Sequence, residues 1–343
     1  MSALDDLKMI HDRDQQDALG IAANQWQQLL HGYDIPEQTA NIKNIVYAGM
    51  GGSSLSALLS QTWPGHNLPF EVCRSYELPA YVNSDTLVIA ASFSGTTEET
   101  LSALADAESR GAQIAVIASG GRLAEIAQAK NYPFAQLPQI SQPRYGALYV
   151  LRAVVEIMVA YGLADTQRIA DLESSADWLK SQVSSWQADL ATEQNPAKQL
   201  SLELMGSSPV IYASSLFFPV AYKWKISFNE NAKNVAWCNA YPEFNHNEFL
   251  GWSSHPTNKP YKVIDLRSNL DHPQIIKRFE VSDRMLSGKR PAAEVVQLQG
   301  ENVLQQMLWG VAFGDFVSLY LALLNGLNPT PVDLISKLKA ELV

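Results

Sequence analysis

Two segments of the sequence combine glycines with hydroxyl side chains, and each lies between an apolar run and a helical pattern. The first, Gly49-Met50-Gly51-Gly52-Ser53-Ser54, follows the β-branched run 44–48. The second, Ser92-Phe93-Ser94-Gly95-Thr96-Thr97-Glu98-Glu99-Thr100, follows the apolar run 87–91. Glycine permits close backbone approach, and the first turn of a helix offers unpaired N–H groups to an anion. Both segments therefore indicate a site for an anionic group such as a phosphate monoester.

The first segment allows two further interpretations. Ser53 or Ser54 could cap the helix of a tight strand-to-helix turn that binds nothing. A dinucleotide-binding fingerprint would require a third glycine where Ser54 stands, and the acidic residue expected about 20 residues later is matched only loosely by Glu77. The pattern weakens a nicotinamide-dinucleotide site without excluding it.

The second segment favours the phosphate interpretation. Thr97 and Thr100 could be capping and surface residues, but Ser92 and Ser94 alternate at the carboxyl end of a strand, where open α/β sheets place ligands. Two such loops at neighbouring strand ends would surround one phosphate with neutral donors, which suits an acidic protein that must bind an anion. The predicted phosphate-binding residues are Gly52, Ser53, Ser92, Ser94 and Thr97.

The second half of the chain carries the candidates for proton transfer. Glu230 lies in a polar break, where the simplest interpretation is a surface carboxylate at a helix end. His246 lies in the polar segment 243–248 and could be a loop residue bonded to Asn245 or Asn247. The two glutamates and the histidine of this segment could suggest a metal, but they lack the i, i+4 helical pair of zinc enzymes. The sequence predicts neither a metal nor a cofactor.

Three basic residues also lie where a site could use them. Arg144 follows Pro143 at the start of a predicted helix, and its simplest role is surface packing on Tyr145. Lys337 and Lys339 lie two residues apart on a predicted terminal helix, and both could be solvated.

The elements that would position these residues alternate between β-branched and amphipathic runs, which is typical of parallel strands with crossover helices. The sequence predicts an α/β fold with two doubly wound domains, each a mostly parallel sheet flanked by helices. The predicted domains are 1–164 with a leading helix and the phosphate loops, a helical connector at 165–199, and 200–343 with the glutamate, the histidine and the terminal helix. The predicted strands are 44–48, 70–74, 87–91, 114–117, 209–213, 234–238, 262–266 and 294–298, and the last two predicted helices are 301–325 and 331–342.

Composition excludes several classes of function. A formal net charge of −10 without a basic cluster argues against nucleic acid and anionic membranes as partners. Cys73 and Cys238 lie far apart in apolar stretches, which indicates buried thiols in a reducing compartment. The N-terminus lacks the pattern of a signal peptide, and the apolar tract 311–324, broken by Gly314 and Asp315, is too short to cross a bilayer. A soluble cytoplasmic protein is expected.

These motifs resemble a known family. The two loops, in this order, are similar to the phosphate loops of the sugar isomerase (SIS) domain. The second half is similar to the bifunctional phosphoglucose/phosphomannose isomerase family in the segments Phe-Asn-Glu-Asn-Ala-Lys at 228–233, Tyr-Pro-Glu-Phe-Asn-His-Asn-Glu-Phe-Leu-Gly-Trp at 241–252, Asn-Pro-Thr-Pro-Val at 328–332 and Leu-Lys at 338–339. The resemblance spans nearly the whole chain.

The resemblance implies an aldose–ketose isomerase that interconverts glucose 6-phosphate, and mannose 6-phosphate as a second aldose, with fructose 6-phosphate through an enediolate. It assigns proton transfer between the two sugar carbons to Glu230 and ring opening to His246. It places Arg144 near the enediolate oxygens. A further hypothesis puts Thr330 at the C2 face of the sugar, which is consistent with a site that accepts both C2 epimers. It also assigns a lysine at the ring oxygen or hydroxyl proton to Lys339, with Lys337 as the competitor.

The resemblance further implies a homodimer whose active site lies between the two domains and takes its histidine from the second subunit. Two other functions stay open at the level of sequence. A non-catalytic sugar-phosphate sensor would use the same phosphate loops, although the chain has no helix-turn-helix segment. An NADP-dependent dehydrogenase would use the first glycine-rich loop for its cofactor.

Overall fold

Strands and helices alternate along the computed structural model, which describes residues 2–253 and 260–341. The strands are β1 (Asn44–Gly49), β2 (Phe70–Cys73), β3 (Thr86–Ala91), β4 (Gln113–Ala118), β5 (Phe134–Gln136), β6 (Ser208–Ser214), β7 (Trp237–Tyr241), β8 (Tyr261–Arg267) and β9 (Ala293–Gln297). The α-helices are α1 (Leu7–Arg13), α2 (Ala18–Ala23), α3 (Gly51–Thr62), α4 (Glu98–Ser109), α5 (Gly121–Lys130), α6 (Ala147–Ala160), α7 (Gln167–Val183), α8 (Pro196–Glu203), α9 (Phe218–Glu230), α10 (Glu248–Gly251), α11 (Pro273–Leu286), α12 (Val303–Leu324) and α13 (Asp333–Glu341).

Internal contacts divide the chain into two compact units. The first-sheet unit is Gln25–Trp178. The second-sheet unit combines the residues up to Asn24 with the residues from Leu179 onward. These bounds differ from the predicted domains, which grouped the leading segment with the first half and separated 165–199 as a connector.

Specific bonds hold the leading segment in the second-sheet unit. The buried Lys198 ammonium donates to Leu4 O at 2.7 Å, and Asp5 Oδ1 accepts from the Thr192 N–H at 2.8 Å. The Arg13 guanidinium donates to a carbonyl at the end of α12. Each of these bonds joins two residues that are at least 187 positions apart in the sequence. No local sequence pattern can therefore predict them.

The first sheet has the order β2-β1-β3-β4-β5, and all of its strands are parallel. Its strands are buried on both faces, since Ile45 and Tyr47 pack in one core and Val46 and Ala48 in another. The chain passes from β1 to β2 on one side of β1 and then crosses to β3 on the other side of β1. The direction in which strands are added therefore reverses between β1 and β3. This switch point is where doubly wound sheets bind ligands.

The second sheet, β7-β6-β8-β9, repeats the parallel plan, which confirms the predicted fold class. Its edge strand β7 lies three residues later than the predicted 234–238. The predicted strand began at Asn234, but residues 234–236 belong to the connection between α9 and β7. The other predicted strands overlap the observed ones, and the last residue of the predicted terminal helix, Leu342, lies outside the described residues.

Helix α12 is the core helix of the second-sheet unit and passes through Gly314 and Asp315 without a break. A Cβ on Gly314 would lie 2.3 Å from Trp224 Nε1, and Asp315 Oδ1 accepts from the buried Lys223 ammonium at 2.5 Å. The prediction that this apolar tract is too short to cross a bilayer was therefore wrong. Of the helices in the described ranges, only α12 is long and apolar enough to cross a membrane, but 94% of that apolar window is buried inside the protein.

Candidate active site

The first glycine-rich loop joins β1 to α3 at the switch point. Gly51 has φ +51, a left-handed conformation that favours glycine. A Cβ on Gly49 would lie 2.9 Å from Ala91 O, so the neighbouring strand end requires glycine there. The N-cap of α3 is Met50, which makes no side-chain capping bond. The backbone N–H groups of this turn are therefore not occupied by a capping side chain.

The second loop, between β3 and α4, gathers its hydroxyl groups. The Ser92 and Thr97 hydroxyl oxygens lie 2.7 Å apart, those of Ser92 and Ser94 3.5 Å apart, and those of Ser94 and Thr96 3.1 Å apart. Thr97 is the N-cap residue of α4, but its side chain makes no capping bond because it bonds to Ser92. The four hydroxyls thus form one connected group at the end of β3.

A direct bond links the two loops. Ser53 Oγ, on the first turn of α3, accepts from the Phe93 N–H at 3.2 Å. Ser54 Oγ donates to Gly51 O at 2.9 Å and accepts from Arg74 Nε at 3.1 Å. Neither serine is the N-cap of α3, so the simple capping interpretation was wrong. The structure brings together the predicted residues Gly52, Ser53, Ser92, Ser94 and Thr97.

A third loop, Ser119-Gly120-Gly121 at the end of β4, supports the second and was missed by the sequence analysis. Ser119 Oγ donates to Phe93 O at 2.6 Å. A Cβ on Gly95 would lie 1.8 Å from Gly120 O, so the two loops touch through their backbones. The signal was present, because this Ser-Gly-Gly follows an apolar run and precedes a helix in the same way as the first loop.

Arg144 lies beside the first loop, on the 3-10 helix Pro143–Gly146. Its guanidinium carbon is 4.6 Å from the centre of the Tyr145 ring, and Nη2 is 3.2 Å from the tyrosine hydroxyl. The side chain packs on Tyr145 as predicted, but it is 1% exposed and therefore not at the surface. A Cβ on Gly52 would lie 3.3 Å from Arg144 N, so the arginine backbone packs on the first turn of α3.

Glu230 is the last residue of α9 and lines a cavity of about 610 Å³ in the second-sheet unit. The helix end is anchored by the next residue, since the buried Asn231 donates to Ser318 Oγ at 2.9 Å. Asn229 of α9 also lines the cavity, and the rest of the wall comes from the turn after α9 and from the terminal segment, including Lys233, Asn328, Pro331, Asp333 and Leu334. Glu230 therefore faces the chain end that carries the other predicted residues.

Thr330 and Lys339 belong to that terminal segment. Thr330 is 5% exposed, and its N–H donates to Asn328 Oδ1 at 3.1 Å. Lys339 lies on α13, and its side chain is outside the part of the chain that is described. Lys337 is exposed on the same helix.

His246 is exposed at the end of the 3-10 helix Glu243–His246, which follows β7. It is not among the residues that line the Glu230 cavity. Its neighbour Glu248 has a structural role, because Glu248 Oε2 accepts from Asn239 Nδ2 at 2.6 Å and Oε1 accepts from the Tyr212 hydroxyl. Burial raises the pKa of Tyr212 well above its usual range, so this phenol stays a donor.

The metal alternative concerned the two glutamates and the histidine of the segment around His246. Across residues 2–253 and 260–341, no group of three or more His, Cys, Asp or Glu side chains could hold a metal ion.

Comparison with known proteins identifies the family. Residues 193–342 match the bacterial phospho-glucose isomerase C-terminal SIS domain, and residues 39–132 match the SIS domain. A bifunctional phosphoglucose/phosphomannose isomerase from Caldicellulosiruptor bescii is 34% identical over 336 residues, which cover 90% of this chain and 97% of that protein. The chain belongs to the bifunctional phosphoglucose/phosphomannose isomerase family. The resemblance found in the sequence is thereby confirmed.

Two other similar proteins differ from this family in name or in sequence. A D-glucosamine-6-phosphate 4-epimerase from Sulfolobus acidocaldarius is 33% identical over 241 residues, which cover 69% of this chain and 73% of that protein. A glucose-6-phosphate isomerase-like protein from Thermus thermophilus superposes with a TM-score of 0.66 at 18% identity, covering 98% of this chain and 100% of that one. The second likeness concerns the fold alone. The first shows that a relative of similar identity is named for a different reaction on a sugar phosphate.

Proposed function

We propose that this protein is an aldose–ketose isomerase that interconverts glucose 6-phosphate and mannose 6-phosphate with fructose 6-phosphate. The observation that carries the proposal is Glu230, a carboxylate at an anchored helix end on the wall of a cavity about 610 Å³ in volume. The names of the family's relatives support the same reaction. They give no support to the non-catalytic sensor or to the NADP-dependent dehydrogenase.

The proposed reaction needs few groups. The sugar ring opens, a base removes a proton from one carbon, and the same base returns it to the neighbouring carbon of a planar enediolate. Glu230 is the proposed base, His246 assists ring opening, and Lys339 handles the ring oxygen or hydroxyl proton. Arg144 stabilises the negative charge on the enediolate oxygens, because a fixed cation binds charge that develops in the transition state. Thr330 borders C2, where glucose and mannose differ.

A coupled assay tests the proposal. Purified protein in the presence of a chelator is expected to form fructose 6-phosphate from glucose 6-phosphate and from mannose 6-phosphate. D-glucosamine 6-phosphate is incubated in parallel and followed by NMR for a C4 epimer. Binding of either hexose 6-phosphate without turnover would support the sensor, and formation of the C4 epimer alone would support an epimerase.

The phosphate loops are proposed to hold the 6-phosphate. Ser92→Ala removes the hydroxyl that contacts Thr97 and Ser94 and accepts from the Gly95 N–H. Loss of one donor to a charged group is expected to raise KM for glucose 6-phosphate about 10-fold, with a smaller change in kcat. Ser109→Ala, at the far end of α4, is the matched control. An unchanged KM would remove Ser92 from the phosphate site.

The terminal helix offers two lysines, and substitution decides between them. Lys339→Met is expected to lower kcat about 10²-fold or more, because general acid–base assistance of this size is usual for one group. Lys337→Met, the same change two residues away, is expected to leave kcat unaltered. The reverse outcome, measured by the coupled assay, would transfer the role to Lys337.

A homodimer with a shared site is proposed, in which His246 serves the Glu230 of the second subunit. Glu230→Gln and His246→Ala proteins are each expected to be inactive, but each hybrid dimer would contain one intact site. Random mixing should recover about a quarter of the unaltered activity, given the two-fold symmetry of a dimer. Mass spectrometry of the native mixture verifies that hybrids form, and hybrids without activity would contradict a shared site.

The cellular setting is also a proposal. A buried α12 and the acidic charge are consistent with a soluble protein in the cytoplasm. The proposed reaction places it in glycolysis and gluconeogenesis, where these hexose 6-phosphates are interconverted.

A further inference from the structure

Lys233 holds the end of α9 and the terminal segment together. Its ammonium lies 2.9 Å from Glu230 O and 3.3 Å from Asn231 O, two carbonyls at the C-terminal end of α9. The same nitrogen lies 3.1 Å from Asn328 O and 2.8 Å from Pro329 O, in the turn that precedes α13. One side chain thus joins two segments that are 95 positions apart in the sequence.

The backbone of Lys233 indicates that this side chain is needed. The residue has φ +51, a left-handed conformation in which a lysine is strained and glycine is not. Position 233 follows the end of a helix, where glycine usually takes this conformation. Strained residues of this kind persist where the surroundings impose them, and they concentrate at functional sites.

The position of the ammonium is also unusual for an exposed lysine. Lys233 is exposed, and such side chains ordinarily extend their charge into water. Here the ammonium folds back onto four carbonyl oxygens, more than its three protons can serve individually. Capping α9 alone would use only the carbonyls of Glu230 and Asn231.

The two joined segments line the same cavity. Glu230 and Lys233 line it from the end of α9, and Asn328 and Pro331 line it from the terminal segment. A further bond holds the terminal segment, since Asn328 Nδ2 donates to Gln16 Oε1 at 2.9 Å. The ammonium of Lys233 therefore fixes the position of Glu230 relative to the turn that contains Thr330.

We propose that Lys233 is a positioning residue that aligns the Glu230 carboxylate with the sugar carbons presented at the Asn328–Pro331 turn. This inference rests on the proposed function, because the alignment matters only for proton transfer. Lys233 itself touches the carbonyls and takes no part in moving the proton. Small displacements of a reacting group lower rates far more than they lower binding.

Two substitutions separate this role from a structural one. Lys233→Met keeps the length of the side chain and removes the charge and donors. Lys233→Gly removes the side chain but relieves the left-handed strain, so its thermal stability should stay close to that of the unaltered protein. For both, kcat with glucose 6-phosphate is expected to fall about 10- to 100-fold while KM changes little. Lys130→Met, in the last turn of α5, is the matched control.

An isotope effect identifies the step that slows. With glucose 6-phosphate deuterated at C2, both variants are expected to show a primary isotope effect on kcat at least as large as that of the unaltered protein. Lys233→Cys alkylated with 2-bromoethylamine restores an ammonium at nearly the same length, and it should recover most of kcat. The unaltered protein treated in the same way controls for alkylation of Cys73 and Cys238.

The outcomes distinguish the two proposals. If the unaltered protein isomerises neither 6-phosphate, the proposed function fails and the positioning role falls with it. If the unaltered protein is active and Lys233→Gly keeps its kcat and isotope effect, only the positioning role is overturned. A kcat that falls only in proportion to the folded fraction, measured by circular dichroism, would also overturn it.

Discussion

Replacing Glu230 by glutamine is expected to lower kcat for glucose 6-phosphate by about 10²- to 10⁴-fold, the usual contribution of a general base. Glutamine has nearly the same shape and can still donate and accept hydrogen bonds, but it cannot take a proton from carbon. The end of α9 is anchored through the Asn231 bond to Ser318, so the variant should keep its fold. Fructose 6-phosphate binding, measured by calorimetry, is expected to change by less than the rate does.

Solvent exchange makes this prediction specific to proton transfer. In deuterium oxide the unaltered protein should introduce deuterium next to the carbonyl carbon, and Glu230→Gln should not. Glu301→Gln, the same change before α12 in the same unit, is the control and should behave like the unaltered protein. Deuterium incorporation at the normal rate by Glu230→Gln would contradict its role as the base and require another proton acceptor.

The two loops rich in glycine and hydroxyl side chains could be predicted from the sequence because their determinants are local. In each loop a strand, a turn and a helix follow one another closely, so the pattern alone indicated that Gly52, Ser53 and Ser92 lie in strand-to-helix loops. Their mutual arrangement could not be predicted in the same way. The bond from the Phe93 N–H to Ser53 Oγ joins residues 40 positions apart, and only the pairing of β1 with β3 brings them together.

The limits of prediction were greatest where distant segments meet. Lys198 bonds to Leu4 O, and this buried contact helps place the leading segment with the second sheet. Gly314 was taken to interrupt the apolar tract 311–324, yet the helix needs glycine there because the Trp224 indole occupies the adjacent space. In both cases tertiary packing decides the role of the residue, and no local pattern shows it.

The prediction of the proposed proton-transfer residues depended on family resemblance more than on pattern. Glu230 in isolation looks like an ordinary helix-terminal carboxylate, and its cavity is formed by residues about 100 positions later, such as Asn328 and Pro331. Lys233 shows the same limit, because no local pattern indicates that its ammonium reaches Pro329 O. A close physical reading of sequence can therefore locate a binding loop, whereas assembling a catalytic site requires the fold.

Replacing Arg144 by alanine is expected to lower kcat about 10²- to 10³-fold, the range found when one donor to a developing oxyanion is removed. Substrate binding should weaken much less, because the enediolate charge is absent from the ground state. A hydroxamate analogue of the enediolate should lose affinity in parallel with kcat, since it carries the charge that Arg144 is proposed to bind. Titration calorimetry with the analogue and with fructose 6-phosphate measures this difference.

The buried position of Arg144 requires a control for stability. Its guanidinium lies on the Tyr145 ring, so alanine also leaves a space beside the ring and should lower Tm. Arg144→Lys keeps the charge but loses the planar donors, and its kcat is expected to lie between those of alanine and arginine. Arg122→Ala, an exposed arginine on α5 paired with Glu125, is the matched control. If Arg144→Ala raised KM and left kcat and analogue binding unchanged, the arginine would act on the ground-state substrate and not on the enediolate.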